Sequence, residues 1–220
     1  MKYALLCLGT IAIFSCSTLK LFSDSDIESG YYELRQPDKG YSKIYLDVKE
    51  DSISIIPIDP ANKGQTPLAH VDGQSFLKRS FDIDVLAVPF KYRPSASDFP
   101  RQLVSDFNGN IYFGYRLDRY KTRIFKTPIG LEKKIQHHAI TMGTFGGLGT
   151  TSVSPWTTNY RTTDEYNGLV LTRGLSIMAG VNNLTFGVGI GWDYLTDRDK
   201  EIWIYQNKPW YGVTISLNIN

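Results

Sequence analysis

The sequence predicts an all-β protein, folded as an antiparallel up-and-down β-barrel of about eight strands. Three observations predict it. Large apolar residues alternate with small or polar ones over long stretches, the period-2 pattern of strands with two unlike faces. No strong helical period competes with it anywhere in the 220 residues. Short turns and long polar loops also alternate strictly along the last six stretches. A content of 14 Tyr and 19 Gly suits strands and turns better than helices.

Taken in order, strands are expected at 43–48 and 52–58, joined by Lys49-Glu50-Asp51 as a hairpin. The long polar connection that follows, 59–80, leaves two placements for residues 41–60: part of the barrel, or a separate hairpin outside it. Six further strands are expected at 81–93, 103–125, 131–149, 167–181, 184–195 and 209–220. Tight turns lie at 127–130 and 181–183, and long loops at 94–102, 150–167 and 196–207. Pro57 and Pro89 cannot donate to a ladder, so each marks a strand end or a bulge. Arg173 falls on the apolar side of its stretch, which calls for a bulge at 172–174 or a place at the rim of the apolar zone.

The two faces decide the type of barrel. In the closing strand, Tyr211, Val213, Ile215, Leu217 and Ile219 alternate with Gly212, Thr214, Ser216, Asn218 and Asn220. In the strand before it, Leu184, Phe186, Val188, Ile190, Trp192 and Tyr194 alternate with Thr185, Gly187, Gly189, Gly191 and Asp193. A face of glycines is poor for contact with water but suits a crowded lumen. The expected barrel is therefore of transmembrane type, with Phe186, Val188, Ile190, Val213, Ile215 and Leu217 facing lipid. Gly187, Gly189 and Gly191 face the lumen with Arg116 and Asp106, and Asp82 and Asp84 share a face of the neighbouring strand. Inward charges of this kind pair and plug a narrow barrel. Tyr92, Tyr115, Tyr120, Trp192, Tyr194, Trp203, Tyr205, Trp210 and Tyr211 fall near expected strand ends, as an interfacial aromatic girdle would.

The N-terminus reads as a secretory signal over residues 1–15: one charge at Lys2, an apolar run at 3–14, then small residues. The run is too short to span a bilayer as a helix, which needs about 20 residues. Ile13-Phe14-Ser15-Cys16 resembles a lipoprotein signal box, with Phe14 where a small residue is usual; the resemblance implies lipidation at Cys16. The other reading is an ordinary cleaved signal with an incidental cysteine. Residues 16–40, acidic and polar, read as a tether, and 41–220 as the barrel domain. Both cysteines, Cys7 and Cys16, precede the body, which therefore has no disulfide. From about 81 to 220 the chain resembles the small outer-membrane β-barrel proteins of Gram-negative bacteria, although it closes on Asn220 where many of them carry an aromatic residue. The resemblance implies a place in the outer membrane, lipid as the surrounding partner, and envelope proteins met through the long loops.

Little in the chain points to chemistry. A net charge of +2 offers no argument for nucleic acid. His137 and His138 open a strand whose far end carries Ser152 and Ser154, so a Ser-His site from one strand is out of reach. The loop Asp197-Arg198-Asp199-Lys200-Glu201 lacks the Gly of a calcium loop, and 143–149 lacks the Lys-Ser/Thr ending of a phosphate loop. No catalytic residue, metal site or cofactor is expected. A non-enzymatic structural, adhesive or accessory barrel is the expected function. The alternatives are a soluble or lipid-anchored barrel holding a small apolar ligand, and a lipid-modifying barrel enzyme.

Overall fold

The computed structural model describes residues 27–36, 40–49, 52–58, 73–128, 130–181 and 184–218. The expected signal segment, Cys16 and the first part of the expected tether lie outside them, as do Ile219 and Asn220. Among the described residues the fold is all-β and antiparallel, with ten strands: β1 (Gly30–Gln36), β2 (Gly40–Lys49), β3 (Ser52–Pro57), β4 (Ser75–Arg93), β5 (Gln102–Val104), β6 (Asn108–Thr127), β7 (Gly130–Val153), β8 (Tyr166–Val181), β9 (Leu184–Leu195) and β10 (Pro209–Asn218). Single 3-10 turns stand at Trp156–Thr158 and Arg198–Glu201. No helix among the described residues is long and apolar enough to cross a membrane, which says nothing of crossing by strands.

Strand β4 organises the sheet because each of its edges serves two partners. One edge pairs with β6 from Ser75 to Leu86 and with β5 from Lys91 to Arg93. The other pairs with β1 at Phe76 and Leu77, and with β10 between Asp84 and Tyr92. Ladders then run β4–β6–β7–β8–β9–β10, and the pairing of β10 with β4 returns to the start. Six strands thus form a closed circuit of ladders. β1, β2 and β3 extend the sheet from the lower half of β4 and stand outside that circuit.

The structure corrects some expectations and decides between alternatives in others. Residues 30–36, expected within the tether, form β1, because Tyr32 and Leu34 alternate onto an apolar core. The expected strand at 103–125 is two: β5 ends at Val104, and Ser105, Asp106 and Phe107 form a loop before β6. The hairpin of β2 and β3 joins β1 rather than completing the circuit. Pro57 ends β3. Pro89 sits where the β10–β4 register slips between Val213 and Ile215, a bulge that leaves its missing N–H without consequence. At Arg173 both ladders are continuous, so there is no bulge, and the side chain is exposed on the outer face.

Buried side chains gather in three tiers. At the end carrying the tight turns, Ile27, Tyr32, Leu34, Ile44, Leu46, Ile55, Phe76 and Ile135 form one apolar core. In the middle of the circuit Leu86, Val88, Tyr112, Phe145, Met178 and Trp210 meet inside. At the other end the loops at 94–101, 154–165 and 196–208 close together, with Ala96, Trp203, Ile204 and Tyr205 packed on Val153, Val170 and Leu195. The backbone N–H of Ile204 donates to the Thr157 carbonyl at 3.0 Å, tying two of those loops.

Candidate functional site

The outer surface of the six-stranded circuit is an apolar belt, interrupted on β8 by the exposed Arg173 between Leu171 and Leu175. On β4 it shows Phe81, Ile83, Val85, Phe90 and Tyr92; on β6, Ile111, Phe113, Tyr115 and Leu117. On β7 it shows Ile140, Met142 and Leu148, and on β8 Leu169, Leu171, Leu175 and Ile177. Phe81 is 81% exposed and Val188 67%, values that a core residue never shows. Of the residues expected to face lipid, Phe186, Val188, Val213 and Leu217 are exposed, and Ile190 and Ile215 half-buried, all on this surface.

The belt has a sharp lower edge. Along β4 the outer row changes from Arg79 to Phe81, along β6 from Leu117 to Arg119, and along β7 from Ile140 to His138. The ladder sets Leu117 opposite Ile140 and Arg119 opposite His138, so the changes on β6 and β7 coincide; Arg79 stands opposite Leu117, so the change on β4 falls two residues nearer the loop end. Just above it Phe81 and Tyr115 meet edge to face, centroids 6.4 Å apart. The inner row inverts near that boundary, where Asp118 and His137 stand between the two parts. Phe76 and Ile135 lie below it; Asp82, Asp84, Arg116 and Thr141 lie above it, all buried.

Two ion networks occupy the inside. Near the loop end, Asp193 accepts from both buried cations of β4: Lys91 Nζ lies 3.1 Å from each carboxylate oxygen, and Arg93 Nη2 donates at 2.7 Å. Thr172 Oγ1 and Trp210 Nε1 also donate to Asp193 Oδ1, at 2.9 and 3.0 Å. Lys91 Nζ lies 4.7 Å from the Trp210 ring, and the Arg93 guanidinium 5.0 Å from both the Trp203 and Tyr205 rings. Toward the turn end, Arg116 lies 3.7 Å from Asp82 and donates to Asp118 at 3.0 Å. His137 Nε2 is 2.6 Å from Asp118 Oδ1 and its ring stacks on Tyr120 at 4.4 Å. Asp84 accepts from Ser216 Oγ at 2.7 Å, bridging β4 to β10 where the circuit closes.

Of the residues expected in the lumen, Arg116 and Gly191 are buried, and Gly187 and Gly189 half-buried. A Cβ at Gly187 would strike the Ile177 carbonyl oxygen, and one at Gly191 the Trp210 ring. Asp106 belongs elsewhere: it is half-buried in the loop before β6 and acts on Lys91, not on Arg116. Lys91 and Arg93 were not expected inside, because strict alternation from Asp82 sends them outward. The Pro89 bulge flips the parity, and Pro89 was the one trace of it in the sequence. The expected girdle also loses Trp203, Tyr205 and Trp210, which are buried. The first two lie in a loop folded over the mouth, and Trp210 takes an inward position on β10. Tyr92, Tyr115, Tyr194 and Tyr211 remain on the outer surface.

His137 and Ser152 lie toward opposite ends of the single strand β7. In the acidic loop, Asp197 accepts from the Leu169 N–H at 3.0 Å and Asp199 from the Tyr166 hydroxyl at 2.9 Å, so both carboxylates brace loops. Among the described residues no group of three His, Cys, Asp or Glu is placed to hold a metal. A scan against protein-family models, a search of curated proteins and a search of solved structures each found no match.

Proposed function

We propose that this chain is a non-enzymatic β-barrel of the Gram-negative outer membrane, plugged by its own side chains and acting as a structural, adhesive or accessory envelope subunit. The observation that carries the proposal is the inversion of both strand faces within a few residues on each of β4, β6 and β7. Water on both sides of that boundary would make the belt a large exposed apolar surface, which soluble monomers avoid. Hydrocarbon above it and water below it account for both halves. Strand β9, with 12 residues, rises roughly 25–30 Å at a tilt near 40°, close to the apolar band of about 25 Å that such barrels present. Six strands about 4.8 Å apart at that tilt keep the backbone roughly 6 Å from the axis, too narrow for a water channel. The glycines whose Cβ would collide fit that crowding, and the filled interior favours this reading over a soluble barrel holding an apolar ligand. The loop end, tied by Trp203, Tyr205 and Arg93, would present a rigid surface to partners.

Fractionation tests it directly. The protein should stay in the membrane pellet through a carbonate wash and migrate faster on gels before heating than after. Val188→Arg should cost about 2–4 kcal/mol near the midplane and cut insertion sharply. Release by carbonate, or normal insertion of the Arg variant, would overturn the reading.

A further inference from the structure

Below the belt, the outer faces of β6 and β7 carry Arg119, Lys121, Arg123, Lys134 and His138. Lys121 is half-buried and the other four are exposed. The ladder sets Arg119 opposite His138 and Arg123 opposite Lys134. Like charges directly opposite, as at Arg123 and Lys134, weaken an antiparallel pair, so the sheet itself gains nothing from that placement. Gln136, half-buried, shares that face of β7. Among the described residues Arg119, Lys121, Arg123 and Lys134 pair with no carboxylate; Arg119 Nε donates to Ser75 Oγ at 3.0 Å. On neighbouring β4, by contrast, Arg79 meets Glu33 at 3.1 Å and Lys78 meets Glu28 at 3.9 Å.

We propose that this patch holds the phosphate groups of anionic phospholipid in the leaflet at the turn end of the molecule. The proposal rests on the membrane reading above and adds a lipid preference and a leaflet to it. Position argues for it as much as charge. Arg119 follows Leu117 on the outer row, about 5 Å beyond the apolar edge along the axis, and a headgroup layer is roughly 5–7 Å thick. Arg123 and Lys134 lie about 10 Å further, still near one screening length of a charged surface. Guanidinium forks match phosphate oxygens in pairs. The belt and the patch are continuous on the same two strands, so a bilayer covering one brings its headgroups to the other.

The test compares the full chain folded into phosphatidylcholine vesicles with the chain folded into phosphatidylcholine–phosphatidylglycerol vesicles. The readout is the temperature at which the compact gel band is lost. Phosphatidylglycerol should raise that midpoint by roughly 5–10 °C, and the triple variant Arg119→Gln, Arg123→Gln, Lys134→Gln should lose the increment while matching the parent in phosphatidylcholine alone. Arg119→Lys with Arg123→Lys should keep most of it, and Lys208→Gln at the loop end should leave it unchanged. A parent indifferent to phosphatidylglycerol, a triple variant that keeps the increment, or the same increment from inorganic phosphate would each overturn the proposal. Failure to insert even into phosphatidylcholine would sink the membrane reading itself, a different outcome from insertion without preference.

Discussion

Phe76 and Asp82 point to the same side of β4, yet one closes an apolar core and the other joins an ion network. The same exchange runs along β6 and β7, so three continuous strands serve two regions with opposite rules. The turn-end region is ordinary: Leu46 and Ile55 inside, Arg35 and Lys49 outside. The circuit is its reverse. Hydrogen bonding along the strands does not change across the boundary, since the β6–β7 ladder runs unbroken from Thr127–Gly130 to Asn108–Gly149. What changes is which face carries the apolar side chains. Backbone pairing specifies the sheet, and side-chain chemistry specifies which of its faces is apolar.

The comparison can be broken or sharpened by substitution. The largest effect is expected at Asp193→Asn. It strands Lys91 and Arg93 as buried cations without a counter-charge, which costs about 3–5 kcal/mol, read as a fall in the urea midpoint of the folded protein. Next comes Leu46→Ala, which opens a cavity in the turn-end core and should cost about 2–5 kcal/mol. Val188→Ala on the belt should cost under about 1 kcal/mol in a bilayer, because lipid fills the space as well as valine did. Equal losses at the two sites would erase the distinction between the regions. Gly187→Ala should cost about 1–3 kcal/mol by overpacking against the Ile177 carbonyl. Gly146→Ala, on the outer face with the nearest atom 3.7 Å from the new Cβ, should be neutral or gain up to about 1 kcal/mol. Thermal melts of the pair read out which face is crowded.

The smallest effect is in pH. Burial, then the Glu28 and Asp118 carboxylates, push the Tyr32 hydroxyl up to about 12, while it donates to the Glu28 carbonyl at 2.9 Å. The folded state thus holds that proton more tightly than the unfolded chain, whose tyrosine titrates near 10. The stability that Tyr32 contributes is complete below pH 10 and fades between pH 10 and about 12. Hydrogen exchange at β1 and β2 should rise over that interval in the parent and less steeply in Tyr32→Phe. An unchanged slope in the variant would remove Tyr32 as the cause.

Strands β8 to β10 are legible almost to the residue, because each has one small or polar face against one bulky face, whereas β7 runs on to Val153, four residues into the stretch expected as loop. The outward row of β9 and the glycine row behind it could be read directly. β1 was hidden, since only Tyr32 and Leu34 mark its buried side in a short polar stretch. The ion network around Asp193 was hidden for another reason: its two cations reach the interior only through the bulge at Pro89, and a parity flip is invisible to a rule of strict alternation. Aromatic residues near strand ends suit a rim, which points Tyr205 and Trp203 outward, whereas the loop carrying them folds over the mouth.

Alternation by itself determined that this protein is an antiparallel sheet with bulky residues on one side of its later strands, because the strand repeat of two residues is a property of the backbone. Tertiary structure alone decided that β10 returns to β4, that β1 to β3 stay outside the circuit, and that Asp193 meets Lys91 and Arg93. Those outcomes depend on which edges meet and where one bulge falls, and no period along the chain encodes the meeting of residues a hundred positions apart.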